Sequence, residues 1–359
     1  MRFLFLALML MAAAGLRSEV RLCGIQEDDL QLKPENNPYI ITGDVLIKKR
    51  TLWTVNPGVV FKIANPASCT THTGIGESEP NKKELIAIWV QGNFQCMGKA
   101  DKRITFEPLH PGGDKIAWYG IVFDGANEEY TKLFYADISG AYYGVKVRNC
   151  SPVIRNCIIR KNQTGLYTCF QSKAKIFNNN ILDNFSTGLL NESATPHVSS
   201  NLFMGNLTGI WSDQRSKVEI EYNDFWNNAD GHFYNCPPRY GVIVKVNARK
   251  DSCDFNKNIF FDPVMAGSPA HADSIVHDVR TPTDTAKGDV ANPKLSRVIV
   301  KSIPDSVRRA DLLNAPHKPW QLSKYSRLID AGSPNSDYRD ADGSLNDIGV
   351  LGNSEFRFE

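Results

Sequence analysis

Beyond its first fifteen residues the chain has no apolar run approaching the ~20 residues that a membrane helix requires, so residues 16–359 hold no candidate helical span. An excess of one charge is missing too. Lys+Arg 41 against Asp+Glu 39 leaves a net +2, and no bulk field draws the chain to nucleic acid or to an anionic membrane. No phosphate-cradling glycine loop and no nucleophile elbow is found, and basic and aromatic residues do not interleave into a nucleic-acid patch. Histidine is sparse: 7 residues are scattered, with only His271 and His277 close together. No Cys-x-x-Cys or Cys/His cluster has zinc spacing, which argues against structural zinc.

What is present begins with an expected export leader. Met1-Arg2 precedes an apolar run from Phe3 to Gly15, and Ala12-Ala13-Ala14 offers small residues for cleavage. Residues 1–18 therefore read as a signal peptide, and a secreted or cell-envelope location follows as the expectation. Arg21-Leu22 lacks the small residues expected ahead of a lipid-anchored Cys23. Eight cysteines in an exported chain permit disulfides. Cys236 and Cys253 flank an extra stretch and are the first pair to test, with pairing among Cys150, Cys157 and Cys169 as the alternative.

Six glycines, each opening a short apolar strand, recur through the middle of the chain. They are Gly120, Gly144, Gly165, Gly188, Gly209 and Gly231, at intervals of 24, 21, 23, 21 and 22. A second series, Cys157, Asn180, Asn201 and Asn223, keeps step with them. A fixed small residue and a fixed Asn at a period near 22 mark a stacked solenoid. The glycines read as bends with unusual backbone angles. The asparagines read as sharp turns whose amides bond the backbone and the matching amide one coil away. Asn149, Asn162, Asn184, Asn191 and Asn206 each start an Asn-x-Ser/Thr triplet, a by-product of turns rich in those residues.

The expected organisation is a leader at 1–18, an N-terminal cap and entry coils at 19–117, regular coils at 118–262, and an irregular C-terminal closure at 263–359. Residues 30–60 and 320–352 are the expected covers for the two ends of the solenoid. Pro304 and Asp305 start a predicted short helix running to Leu313.

The array resembles the right-handed parallel β-helix of the pectate-lyase-like superfamily, in its group of bacterial exported repeat proteins. Three stretches beyond the repeat carry the likeness: Leu52 to Ile63 followed by Ile88 to Gly98, Ile104 to Glu107 followed by Trp118 to Phe123, and Ser326 to Pro334 with Asp347 to Gly352. The resemblance implies an all-β fold, a right-handed parallel β-helix with an N-terminal cap and an irregular C-terminal closure. It also implies a polysaccharide partner. Its members include lyases, hydrolases, epimerases and inert scaffolds, so fold alone does not name a reaction.

Strand residues alternate faces, so positions two and four after each glycine form outward ladders. The first reads Val122, Lys146, Tyr167, Leu190, Trp211, Phe233 and the second Asp124, Arg148, Cys169, Glu192, Asp213, Asn235. Tyr167, Trp211 and Phe233 offer apolar rings to sugar faces. Glu192 and Asp213 fall on adjacent coils, roughly 5 Å apart, near the spacing of a retaining glycosidase pair. Lys146 or Arg148 is the candidate base for a uronate lyase, although the lyase and polygalacturonase signatures are not present. In the tail, Asp337, Asp340, Asp342 and Asp347 surround Gly343, a pattern that suits a structural calcium ion or a capped polar turn. Three readings follow in order: a polysaccharide-binding or -processing protein using the outward strand face, a non-catalytic envelope or surface scaffold, and a uronate lyase or glycosidase. The sequence leaves the oligomeric state open.

Overall fold

The computed structural model describes residues 19–264 except 70–72, 75, 77, 111, 113–115, 215 and 248. It also describes the strands Val276–Val279 and Ser296–Val298, and residues 322, 326–335, 339–340 and 344–350 near the C-terminus. The expected leader and the helix at 304–313 lie outside these residues.

The chain is an all-β parallel solenoid of about nine turns. Each turn runs through three strands, as in Lys132–Phe134, Ala136–Ser139 and Ala141–Arg148. The first strands of successive turns stack into an eight-stranded back sheet that ends at Glu219–Glu221. The second and third stack into a side and a front arm, and both arms begin on the one long strand Tyr39–Ile47. Its first half pairs with Val60–Ile63 on the side, and its second half with Ala87–Val90 on the front. Val20–Gln26 lies along its free edge and closes the entry end.

Three interior ladders fill the prism. Val145, Leu166, Leu189, Ile210 and Phe233 stand in register on the front, Ile138, Ile159, Ile181, Phe203 and Phe225 on the side, and Leu133, Ile154, Ile176, Val198 and Ile220 at the back. All but Phe233 are fully buried. Burial of one large aliphatic or aromatic side chain per face per turn, at about 1.5–3 kcal/mol each, is the main force holding coil to coil.

The corners need a polar solution, because a tight turn leaves backbone groups inside the wall. Asn179, Asn201, Asn223 and Asn258 form one ladder at the back-to-side corner. The amides of Cys157, Asn179, Asn201 and Asn223 donate to the Oδ1 of the next coil's asparagine at 2.9–3.0 Å. Each ladder Nδ2 donates back to a carbonyl of the previous coil, Ile154, Ile176, Val198 and Ile220 in turn. Asn162, Asn184, Asn206 and Asn228 repeat the device at the side-to-front corner. The turn reading of the asparagine series holds, with one change of register. Asn179, not Asn180, occupies the ladder, and Asn180 stands in the strand beside Ile158 and Leu202.

The stacked glycines work differently from the expected bends. Gly144, Gly165, Gly188 and Gly209 do not take positive φ. A Cβ on Gly165 would lie 2.7 Å from the Gly188 carbonyl oxygen, and the other three would meet the next coil at 2.5–2.6 Å. Adjacent coils approach too closely there for any side chain. Gly120 and Gly231 alone of the six need the left-handed region, at φ 135° and 111°.

At the exit end Asp224 bridges Ile259, and Ile259 donates to the Asn223 carbonyl at 2.8 Å, so residues 253–261 add a partial turn over the last coil. The described residues between 322 and 350 pack on the side arm and on that partial turn: Leu328, Ile348 and Val350 share one cluster with Ile158, Leu182 and Leu202 and with Cys253, Ile259 and Phe261. Asn178 donates to Asn346 Oδ1, and the Val350 amide donates to Asn180 Oδ1.

The single disulfide among the described residues joins Cys23 to Cys69. The first-choice pair from the spacing, Cys236 and Cys253, is not joined in a disulfide, and neither are Cys150, Cys157 and Cys169. Their side chains are committed to separate environments: Cys253 packs beside Leu328, Cys236 lies against the main core, and Cys157 donates to the Leu133 carbonyl.

Candidate functional site

Register on the front arm aligns Leu46, Trp89, Val122, Lys146, Tyr167, Leu190, Trp211 and Tyr234 as one outward column. Beside it run Asp124, Arg148, Cys169 and Glu192, with Asp213 next to the paired Ser212. The two ladders expected from the sequence therefore exist, but their halves have opposite characters.

The first half is covered. Chain from the long connection between Val60–Ile63 and Ala87–Val90 crosses it, with Gly76 against the Trp89 ring and Leu85 beside Tyr119 and Tyr143. Glu79 is the anchor. Lys146 Nζ donates to its Oε2 at 2.5 Å, Arg148 donates to its Oε1, and the Tyr119 hydroxyl donates to Oε2 at 3.2 Å. Lys82 makes a second tie, to Asp44 Oδ2 at 2.8 Å, while the other Asp44 oxygen caps the Ala87 amide.

Lys146 is buried and surrounded by three rings, its Nζ 5.1–5.8 Å from the centroids of Tyr119, Tyr143 and Tyr167. Arg148 stacks on Trp89 at 5.0 Å and donates to Asp124 Oδ2 at 2.8 Å. Burial alone raises the Glu79 carboxyl, but the bond from Lys146 and the charges of Lys146 and Arg148 outweigh it and hold Glu79 below the usual range. Asp124 is likewise held low against its burial by Arg148. Burial pushes the phenols up, Tyr143 to about 12, so all three keep their protons, and Tyr119 and Tyr167 donate to Glu79 and Glu192.

This arrangement bears directly on the candidate catalytic groups. Lys146 is bonded to Glu79, and Arg148 to Glu79 and Asp124, beneath the covering segment. Glu192 accepts from the Tyr167 hydroxyl at 2.5 Å. Asp213 instead caps backbone: its Oδ2 accepts from the Ser193 amide at 2.6 Å and its Oδ1 from the Ser216 amide at 2.7 Å. Two carboxylates on neighbouring coils are thus assigned to different partners.

The second half of the face is open. Tyr167, Leu190, Trp211 and Glu192 are partly exposed, and Tyr234 is 59% exposed. Phe233 does not belong to this column. It pairs with Ile210 and points inward against Phe225 and Tyr240. The slip arises because His232, not Gly231, takes the stacked position opposite Gly209.

Sequence reasoning missed Glu79, which sits in a connection without periodicity, and Tyr119 and Tyr143, which immediately precede their glycines. A tyrosine directly before Gly120 and before Gly144 was the available signal. For the tail, Asp337 and Asp342 lie outside the described residues. Asp347 is buried and caps the Asp330 amide at 2.7 Å, and Asp340 is buried. Among the described residues no group of three or more His, Cys, Asp or Glu side chains is placed to hold a metal ion. No described helix is long and apolar enough to cross a membrane.

Residues 114–267 match the family model of a right handed beta helix region. No curated protein and no solved structure matches the chain.

Proposed function

We propose that this right-handed β-helix binds polysaccharide, without turning it over, along the open strip from Tyr167 to Tyr234. The observation that supports it is the register itself. Tyr167, Leu190, Trp211 and Tyr234 stand on four successive coils, with strands spaced ~4.8 Å apart, and offer rings and apolar surface in a row. Glu192 and Asn235 flank the row with groups that can meet hydroxyls. An extended glycan laid across the strands would stack successive units on these rings.

Binding is favoured over turnover because each candidate catalytic group already has an intramolecular partner. Lys146 and Arg148 lie under the covering segment, and Glu192 and Asp213 are bonded apart. A secreted or envelope location belongs to the same proposal. The Cys23–Cys69 disulfide fits an oxidising compartment, as does the leader-like pattern of residues 1–18.

A glycan array, read beside reducing-sugar and unsaturated-uronate assays, tests the proposal. Wild-type protein should retain one class of polysaccharide and release no product. Trp211→Ala should weaken retention about tenfold or more, the equivalent of ~1.4 kcal/mol. Absence of retention on every glycan would leave the scaffold reading. Product release abolished by Glu192→Gln would establish turnover in its place.

A further inference from the structure

The exit end of the back sheet carries a cleft of about 330 Å³, away from the front strip. It opens between the last back strand, Glu219–Glu221, and the turn at Phe255–Lys257 that follows the hairpin of Ile243–Val246 with Ser252–Asp254. Two side-chain bonds to the backbone of the back sheet frame it. The Tyr240 hydroxyl donates to the Val218 carbonyl at 2.9 Å, and Asn256 Nδ2 donates to the Ile220 carbonyl at 3.2 Å. The Arg239 guanidinium carbon lies 5.4 Å from the Tyr240 ring centroid.

The cleft's polar groups are mostly uncommitted, in contrast to the front face. Glu219, Arg239 and Lys257 have no ion pair or side-chain hydrogen bond among the described residues, and of the charged lining groups only Glu221 is engaged, with His197 at 3.0 Å. Beside them Phe255 leaves 60% of its surface in solvent, with Lys245 Nζ 4.5 Å from its ring centroid on one face. A large ring that exposed, next to free donors and a free acceptor in a formed concavity, is a surface shaped for a ligand.

The chemistry narrows the ligand. Among the lining groups Arg239 and Lys257 balance Glu219 and Glu221, so the lining itself carries no net charge that would select an ion, and Lys245 stands outside it over the Phe255 ring. Hydroxyl groups donate and accept together, so one polyhydroxylated ring can meet Glu219 as donor and Arg239 and Lys257 as acceptor. The apolar face of such a ring would bury Phe255. The volume sits at the lower end of the ~300–1,000 Å³ of small-ligand pockets, enough for a ring-sized unit. We propose that this cleft is a second binding site that takes one neutral sugar ring, either free or at the end of a glycan chain. It stands independently of the front strip.

The test titrates the full chain with neutral hexoses, their short oligomers and glucuronate, using ligand-observed NMR and calorimetry. A neutral sugar should bind wild-type and Trp211→Ala proteins alike. Phe255→Ala should weaken it about tenfold or more. Glu219→Gln should weaken it as well, and both exposed sites should leave the circular dichroism spectrum unchanged. Equal affinity of hexose and oligomer identifies a free sugar as sufficient, whereas tighter binding of the oligomer identifies a chain end; either supports the site. The proposal is overturned if no neutral sugar binds Trp211→Ala protein, if Phe255→Ala binds unchanged, or if glucuronate displaces the neutral ligands. Failure of the strip reading looks different: polysaccharide retention would then ignore Trp211→Ala while the cleft signal persisted.

Discussion

Replacing Glu79 by Ala should remove the anchor of the segment that covers the first half of the front face. Glu79 has 10% of its side chain exposed and Lys146 5%, so the pair is largely withdrawn from solvent. Removing one partner of a buried pair costs about 3–5 kcal/mol, chiefly because the other charge is left uncompensated. Arg148 keeps Asp124, and the Lys146 ammonium keeps three tyrosine faces. We therefore expect a loss near the bottom of that range, about 3 kcal/mol. Lys146→Met alone should cost less, because Glu79 retains Arg148. The double variant Glu79→Leu/Lys146→Met should recover part of the loss. Urea midpoints at constant m-value measure the size, and hydrogen exchange on Ala87–Val90 and Trp118–Asp124 locates it. The sign with pH is fixed as well. Glu79 is held below its ordinary 4.5, so its contribution is present above that pH and is lost as pH falls through the lower folded value. Glu79→Gln should flatten that part of the acid limb. A change under about 0.5 kcal/mol for Glu79→Ala, the level of an inconsequential surface substitution, would refute the anchoring role.

Asn184→Ala should destabilise by about 2–4 kcal/mol in the same unfolding assay. Its amide group bonds Ile159, Asn162 and Asn206 from a fully buried position, and each orphaned partner costs about 1–3 kcal/mol. Gly165→Ala should abolish soluble expression or cost several kcal/mol, since its Cβ would lie 2.7 Å from the Gly188 carbonyl oxygen; a loss of only about 1 kcal/mol would match a mere backbone-entropy effect. Thiol labelling of native protein should modify at most Cys236, the one cysteine outside the disulfide that is not buried, and rapid labelling of Cys96 or Cys157 would contradict the packing. Burial raises the Cys157 thiol to about 11, which further slows its reaction.

The architecture was legible because coils repeat their constraints. A glycine that must admit a neighbouring carbonyl, and an asparagine that must satisfy two coils, recur wherever the chain turns. Errors arose where a constraint was placed one residue away. Asn179 and Asn180 are adjacent and identical in type, so only the hydrogen bonds tell them apart. Gly231 kept the period by chance in a coil whose stacked position is His232, which turned Phe233 inward and Tyr234 outward. Glu79 was beyond reach, since its partners lie 67 and 69 residues away and its own connection has no period. The Cys23–Cys69 bond was hidden for the same reason: it ties the entry edge to that connection rather than coil to coil.

The asparagine ladders also bear on where this chain can be made. Of its five Asn-x-Ser/Thr triplets, four place the acceptor nitrogen inside the wall: Asn162, Asn184, Asn191 and Asn206 are buried and hydrogen-bonded. Asn149 alone stands exposed. An oligosaccharide attached to any of the four before folding would occupy the space of the next coil and stop the stack at that rung. In a secretory pathway that glycosylates nascent chains, folding and modification therefore compete for the same nitrogens. The yield of correctly wound protein should rise when the transferase is inhibited.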